Sequence, residues 1–313
     1  MPTYDATFDV EADNNSHALM VHLVGADRRV LDVGCATGYL GAALKERGCT
    51  VSGVEIDPEA AVRAREVLDE VVVADLASVR LTEHFEPGSF DVVVLGDVLE
   101  HLTDPLRLLR DARDVLVPGG SVVISLPNVS HADVRLALLQ GRWRYGDRGL
   151  LDRTHVVFFT VDSLLRLLAA AGLVAVDLRR TTTPPLTTEV EVDPGSLPEG
   201  VLEWVSAQPE ATTYQFVLRA VVDDADGRVL AVAAERDALR STVRDLRVQV
   251  GRLEERLAEV TRLEEDLARV RAERGAAAAE LDALRSTKTM RLLERPRRAY
   301  GRVGRLLGRD GRH

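Results

Sequence analysis

Between residues 29 and 222, short apolar runs alternate with stretches of helical period. "RRVLDVG", "CTVSGVEID", "VVVADL", "FDVVVLGDV" and "SVVISLP" are too short for ordinary helices and are nearly continuous in apolar residues. That is the pattern of strands buried on both faces. "GYLGAALKERG", "PEAAVRAREVLDE" and "DPLRLLRDARDVLVPGG" lie between them and read as helices. Gly48 closes the first helix and Pro58 opens the second. Asp104 caps the third, Pro105 takes its first position, and Gly119 and Gly120 end it. A strand can pair parallel to its predecessor only through a crossover, so the alternation predicts a parallel sheet with helices on both faces. The expected class is α/β, doubly wound. The segment 128–161, with "GRWRYGDRGLLDRTHVVFFT", has no clean period and reads as a structured insertion over the strand ends. "VDSLLRLLAAAG", "LVAVDLRRT", a short helix near "VLEWVSA" and "YQFVLRAVV" complete the region.

The glycine turn after the first strand limits the ligand. Parallel sheets bind at the carboxyl ends of their strands, where strand order reverses. The turn here is Gly34-Cys35-Ala36-Thr37-Gly38. A dinucleotide site has G-x-G-x-x-G, so that a pyrophosphate can sit on the helix N-terminus. Ala36 takes the place of the middle glycine, and Asp32 stands in the strand end. A carboxylate there repels a pyrophosphate and attracts a cation. Glu55 ends the second strand, Asp75 the third and Asp97 the fourth, so four acids fall on one rim. S-adenosylmethionine fits: a nucleoside with a sulfonium and an ammonium and no phosphate. Glu55 is suited to accept both ribose hydroxyls, Asp75 the adenine amino group, and Asp97 faces the methionine end.

These motifs carry a resemblance. "LDVGCATG", "GVEID", "VADL", "FDVVVLGDVLEHL" and "LVPGGSVVISLPN" resemble, in order and spacing, the successive motifs of class I S-adenosylmethionine-dependent methyltransferases. Ala36 departs from the commonest G-x-G-x-G form. The resemblance covers about residues 14–222. It implies a mostly parallel seven-stranded sheet with an antiparallel last strand, a place that "YQFVLRAVV" fits. It implies Asp32, Gly34, Cys35, Gly38, Glu55, Ile56, Asp75, Leu76 and Asp97 as cofactor contacts.

For the acceptor, a hydroxyl benefits from a base poised near neutral pH. His155 is the first choice, with Asp152 to orient it or raise its pKa, and His101 is the second; His131 and His17 rank below. "GRWRYGDRGLLDRTHVVFFT" resembles a segment of methyltransferases found with glycosyltransferases in surface-polysaccharide loci. Trp, Tyr and Arg there suit sugar rings. The expectation is therefore O-methylation of a sugar hydroxyl in a glycan or its precursor. The alternatives are a quinone-like phenol or other small natural product, or a cofactor-binding scaffold working through its coiled coil.

Composition sets the remaining limits. Apolar residues make up 46 % and aromatic ones 4 %, so the core must be aliphatic. The formal charge of −10 argues against a general nucleic-acid binder. Cys35 and Cys49 make no disulfide framework, and no Cys/His spacing matches a zinc site, so no metal is expected. "MPTYDATFDVEADNNSH" shows no signal peptide, and no run approaches the ~18 apolar residues of a span, so the expected setting is cytoplasmic.

The expected organisation is a methyltransferase domain over 1–222, a coiled coil over 223–284 and a basic tail over 285–313. From Leu239 the apolar positions 239, 243, 246, 250, 253, 257, 260, 263, 267 and 270 keep heptad spacing with one shortened step. The helix, ~80 Å long over 232–284 at ~1.5 Å per residue, should form a homo-oligomer. Residues 285–313 hold ten Lys/Arg against two Asp/Glu, which predicts contact with an anionic membrane, at its inner face.

Overall fold

A computed structural model describes residues 8–286 of the chain. Its elements follow the alternation: α1 (Ser16–Val24), β1 (Arg29–Val33), α2 (Tyr39–Glu46), β2 (Thr50–Glu55), α3 (Pro58–Ala64), β3 (Glu70–Val73), β4 (Phe90–Gly96), α4 (Pro105–Asp114), β5 (Leu116–Pro127), α5 (Ala132–Leu139), α6 (Val161–Ala170), β6 (Leu173–Thr182), α7 (Val201–Ser206), β7 (Thr213–Val222) and α8 (Ala225–Ser286). The seven strands form one sheet in the order β3-β2-β1-β4-β5-β7-β6. β7 runs antiparallel to both its neighbours, and the remaining pairs are parallel. The order reverses between β1 and β4, which puts the switch point where Asp32 lies.

Period-two alternation along the strands sorts side chains onto two faces. Leu31, Val33, Val93, Leu95, Ile124 and Leu126 meet Leu108 and Leu109 of α4 and Leu164 and Leu168 of α6. Val30, Val51, Val92, Val94 and Val123 meet α1, α2 and α3 through Leu19, Met20, Leu40, Leu44, Ala61 and Ala64. Each fully buried Leu or Val contributes about 1.5–3 kcal/mol, so the two faces together hold the sheet between its helices.

The helix starts predicted at Pro58 and Asp104 form, and Asp57 adds a cap that the sequence reading does not name. The Asp57 side chain accepts from Glu59 N with Pro58 in the first turn, and Asp104 accepts from Arg107 N with Pro105 in the first turn. One boundary moves. α4 stops at Asp114 rather than running to Gly119 and Gly120. Phe90 pairs with Leu116 and Val92 with Ser121, so "VPGG" is a bulge inside β5 and not a helix end. The segment 128–161 contributes α5 and is pinned by two isolated bridges, Asn128 to Phe159 and Gly146 to Asp152.

The described residues divide into two compact units at Ala238/Leu239. The second is helical throughout its described part, as the end of the 62-residue α8. Among the described residues no helix is long and apolar enough to cross a membrane. The tail expected to meet one lies outside the described residues from 287 onward.

Candidate active site

The site begins with a backbone that must bend sharply. Gly34 has φ +79°, and a Cβ there would meet Val98 Cγ2 at 2.7 Å. Ala36 also adopts a left-handed φ, +48°, which costs an alanine about 1–2 kcal/mol. What holds it is Glu55: its Oε2 accepts from Ala36 N at 2.8 Å, and its Oε1 accepts from Asp57 N at 2.8 Å. One carboxylate thus ties the loops after β1 and β2 together. Each oxygen retains lone-pair capacity for a further donor. Gly53 faces the turn, where a Cβ would lie 2.6 Å from Cys35 Sγ. The Cys35 side chain is therefore buried against β2 and offers a ligand only its backbone; burial, followed by the charges of Asp32 and Glu55, pushes its thiol far up.

Asp32 is 3 % exposed, and its Oδ2 has no hydrogen-bond partner. Burial first, and then the Glu55 charge, raises its pKa to about 7. A buried carboxylate with an orphaned oxygen is an unmet demand for a donor or a cation. Ile56, the next residue after Glu55, is 51 % exposed and gives the rim an apolar ledge. Asp75 is exposed and accepts from Ala77 N at 2.8 Å, while the Leu76 carbonyl accepts from the Arg107 guanidinium.

Asp97 follows β4 with a left-handed φ of +55°. Its Oδ1 accepts from Ser125 Oγ at 3.2 Å and from Gln215 Nε2 at 2.9 Å. Burial raises its pKa against the opposing charge of His17. His17, on α1, lies 3.0 Å from the Tyr39 hydroxyl, and Phe8 packs on its ring at 5.2 Å. Ser125 and Gln215 carried no sequence signal. β5 and β7 bring them to Asp97 from 28 and 118 residues away in the chain.

The other side of the candidate site is built on the short 3-10 turn Leu99–His101. The Glu100 carbonyl accepts from Val156 N at 2.8 Å and from Val157 N at 3.1 Å, which stitches the 128–161 segment to the end of β4. The rings of His101 and His155 consequently lie 4.9 Å apart. Burial first, and then the charge of His101, lowers the His155 pKa, while Asp152 opposes. Asp152, expected to orient His155, turns its Oδ1 to Thr154 N (2.8 Å) and Thr154 Oγ1 (2.6 Å). Burial would raise its pKa, but these bonds outweigh that and lower it. Phe158 lies 6.1 Å from the His155 ring, Trp143 5.1 Å from Phe158 and Tyr145 6.3 Å from Trp143, so an aromatic file leads to the histidines. His131 is fully buried as the N-cap of α5, bonded to Asp133 N and the Thr183 carbonyl, and stands outside this group. A cavity of about 250 Å³ borders the far end of the segment, lined by Arg142, Arg144, Tyr145, Arg148, Glu189 and Glu191. It does not include the acid rim.

Residues 15–178 match a family described as a methyltransferase domain, which is more than half of the chain. The chain belongs to that family. Among the relatives of this methyltransferase is the ubiquinone biosynthesis O-methyltransferase of Aeromonas salmonicida. It is 29 % identical over 170 residues, covering 53 % of this chain and 71 % of the relative. The enzyme of that name from Paraburkholderia phymatum is 32 % identical over 181 residues, 56 % of this chain and 75 % of the relative. That from Xanthomonas campestris is 38 % identical over 125 residues, 39 % of this chain and 52 % of the relative. A solved S-adenosylmethionine-dependent methyltransferase from Archaeoglobus fulgidus is 19 % identical, with a TM-score of 0.47, covering 66 % of this chain and 95 % of that one. As a member of the methyltransferase family, the chain takes S-adenosylmethionine as its methyl donor. The orphaned Asp32 Oδ2 and the spare lone pairs of Glu55 are what a cationic nucleoside requires.

Proposed function

We propose that this methyltransferase methylates a hydroxyl on a small phenolic acceptor of quinone type. The observation that carries the reading is the recurrent similarity of the 15–178 region to O-methyltransferases named for ubiquinone biosynthesis. It reverses the order expected from the sequence, where a sugar hydroxyl came first. The aromatic file Tyr145–Trp143–Phe158 ending at His155 supports it, because aromatic faces stack on a phenol ring in offset or edge-on contact. A sugar acceptor remains the second reading, favoured by the arginine-lined cavity beside Trp143 and Tyr145.

In this reading Glu55 holds the ribose hydroxyls, Ile56 and Leu76 flank the adenine, and Asp75 accepts from its amino group. Asp32 and Asp97 face the cationic end. Gly34 and Gly38 let the backbone come close, and Cys35 contributes its main chain. When bound, S-adenosylmethionine supplies an electrophilic methyl group. The chain's own task is to hold the acceptor oxygen in line with it and relieve that oxygen of its proton. We place that activation at the floor made by Glu100, His101 and His155. Burial keeps His155 neutral near pH 7 with an unpartnered Nδ1, the state in which an imidazole receives either a proton or a cation.

The test offers the full chain and labelled S-adenosylmethionine a catechol, a hydroquinone and a set of nucleotide sugars. Transfer to the phenols is expected. Transfer to the sugars alone overturns the phenolic reading. For α8 we propose self-association through the heptad stripe. For residues 285–313 we propose contact with anionic lipid, which sedimentation with vesicles checks.

A further inference from the structure

Glu100 is 1 % exposed, yet neither of its carboxylate oxygens has a hydrogen-bond partner. His155 is 9 % exposed, and its Nδ1 has none either. Buried polar atoms left without partners are rare in folded proteins, and an ion is one of the few things that explains them. Here the two orphaned groups belong to one cluster. One ligand atom from each of Glu100, His101 and His155 can be chosen so that all three lie within 4.8 Å.

The surroundings of the two rings decide which nitrogens are offered. His155 Nδ1 is buried and has no partner, which leaves it free to act as a ligand atom. His101 Nδ1 lies 3.2 Å from the Thr154 carbonyl, which can only accept, so Nδ1 carries the proton there and Nε2 the lone pair. A backbone carbonyl behind the ring, fixing its tautomer and freeing the other nitrogen, is how metal-binding imidazoles are held. His101 is held in this way, and the Glu100 carboxylate has no other partner.

We propose that Glu100, His101 and His155 form the site of one divalent transition-metal cation that holds the acceptor's hydroxyl oxygen. Two imidazoles and one carboxylate suit a borderline ion such as Zn²⁺, Co²⁺ or Mn²⁺, whereas Mg²⁺ and Ca²⁺ favour all-oxygen shells. Ligands bonded at about 2.1 Å in a tetrahedral arrangement lie about 3.4 Å apart, so closing on an ion takes about 0.7 Å from each side chain. Three protein ligands leave at least one position open. The role at that position rests on the O-methylation reading; the site itself does not. An acceptor hydroxyl bound there has its pKa lowered by the cation. Its O–H bond breaks, the proton passes to solvent, and the oxygen keeps the electron pair as the nucleophile. His155 is then a ligand and not the base. Sequence inspection found no ligand set because residues 100 and 155 follow no spacing rule. The bonds from Val156 N and Val157 N to the Glu100 carbonyl, with that from His101 Nδ1 to the Thr154 carbonyl, bring them together.

The experiment titrates Co²⁺ into chelator-treated full-length protein and follows its visible absorption, with S-adenosylmethionine binding by calorimetry as a parallel reading. One equivalent per chain is expected, with micromolar or tighter affinity. Glu100→Gln and His155→Ala should each weaken it at least tenfold while S-adenosylmethionine binding stays within about threefold. A protein that binds S-adenosylmethionine but gives no saturable Co²⁺ spectrum overturns the proposal. So does unchanged Co²⁺ binding in both variants. If Co²⁺ binds as expected and no phenol is methylated, the site stands and the phenolic reading falls. Methylated phenols without Co²⁺ binding mean the reverse.

Discussion

Leu126 and Leu253 are the same side chain in two regions that treat it oppositely. Leu126, on β5, has no exposed surface, while Leu253, on α8, is 61 % exposed. In the sheet unit, apolar pattern and apolar burial coincide. Along α8, every heptad position from Leu239 to Val270 is exposed although the stripe is as regular as any strand. A periodic apolar stripe records a demand for burial; whether the chain meets it within itself depends on what it packs against. The sheet has two covered faces. The second unit has no second helix of its own among the described residues to supply a seam.

Paired substitutions test that contrast most strongly. Leu126→Ala should cost about 2–5 kcal/mol in denaturant unfolding, whereas Leu253→Ala in a monomeric chain should stay within about 0.5 kcal/mol. If α8 self-associates, the Leu253→Ala cost should grow with protein concentration, and sedimentation should show the parent chain as an oligomer. Equal small effects at both positions would undo the comparison.

Glu55→Ala comes next. It removes an acceptor for the ribose and the clamp on Ala36 together, and should weaken S-adenosylmethionine binding about a hundredfold by calorimetry. A matching change on α8, Glu254→Ala, should leave that affinity alone.

A smaller effect follows from Asp32, whose folded pKa of about 7 lies above its ordinary value. The folded state therefore holds the proton more tightly than the unfolded one. Asp32 contributes stability below about pH 4, and this is lost as pH rises through about 7. A cationic ligand favours the ionised form, so affinity should fall about tenfold from pH 8 to pH 6, and Asp32→Asn should flatten that slope. If the slope survives the substitution, another group sets it. The smallest expected effect is that of removing residues 239–313, which should change S-adenosylmethionine affinity by less than about twofold.

Much of this was legible in the sequence, for a physical reason. Strand and helix periods, the Asp104 cap and the crossover rule are local or nearly so, and they yield the doubly wound sheet and the acids at its strand ends; the antiparallel β7 is what the family resemblance implies. The bulge at "VPGG" is not legible in the sequence because glycines end helices and bulge strands alike; the pairings of Phe90 with Leu116 and Val92 with Ser121 separate the two. The partners of Asp97 were invisible, since Ser125 and Gln215 reach it across a sheet whose register no local pattern encodes. The meeting of the orphaned Glu100 carboxylate with His155 in one cluster was likewise a decision of the tertiary structure. Sequence periodicity fixes which residues want burial and which strand ends carry charge; it cannot say which of two distant polar atoms will be left without water and without each other. That depends on desolvation, and desolvation exists only once the chain has closed around them.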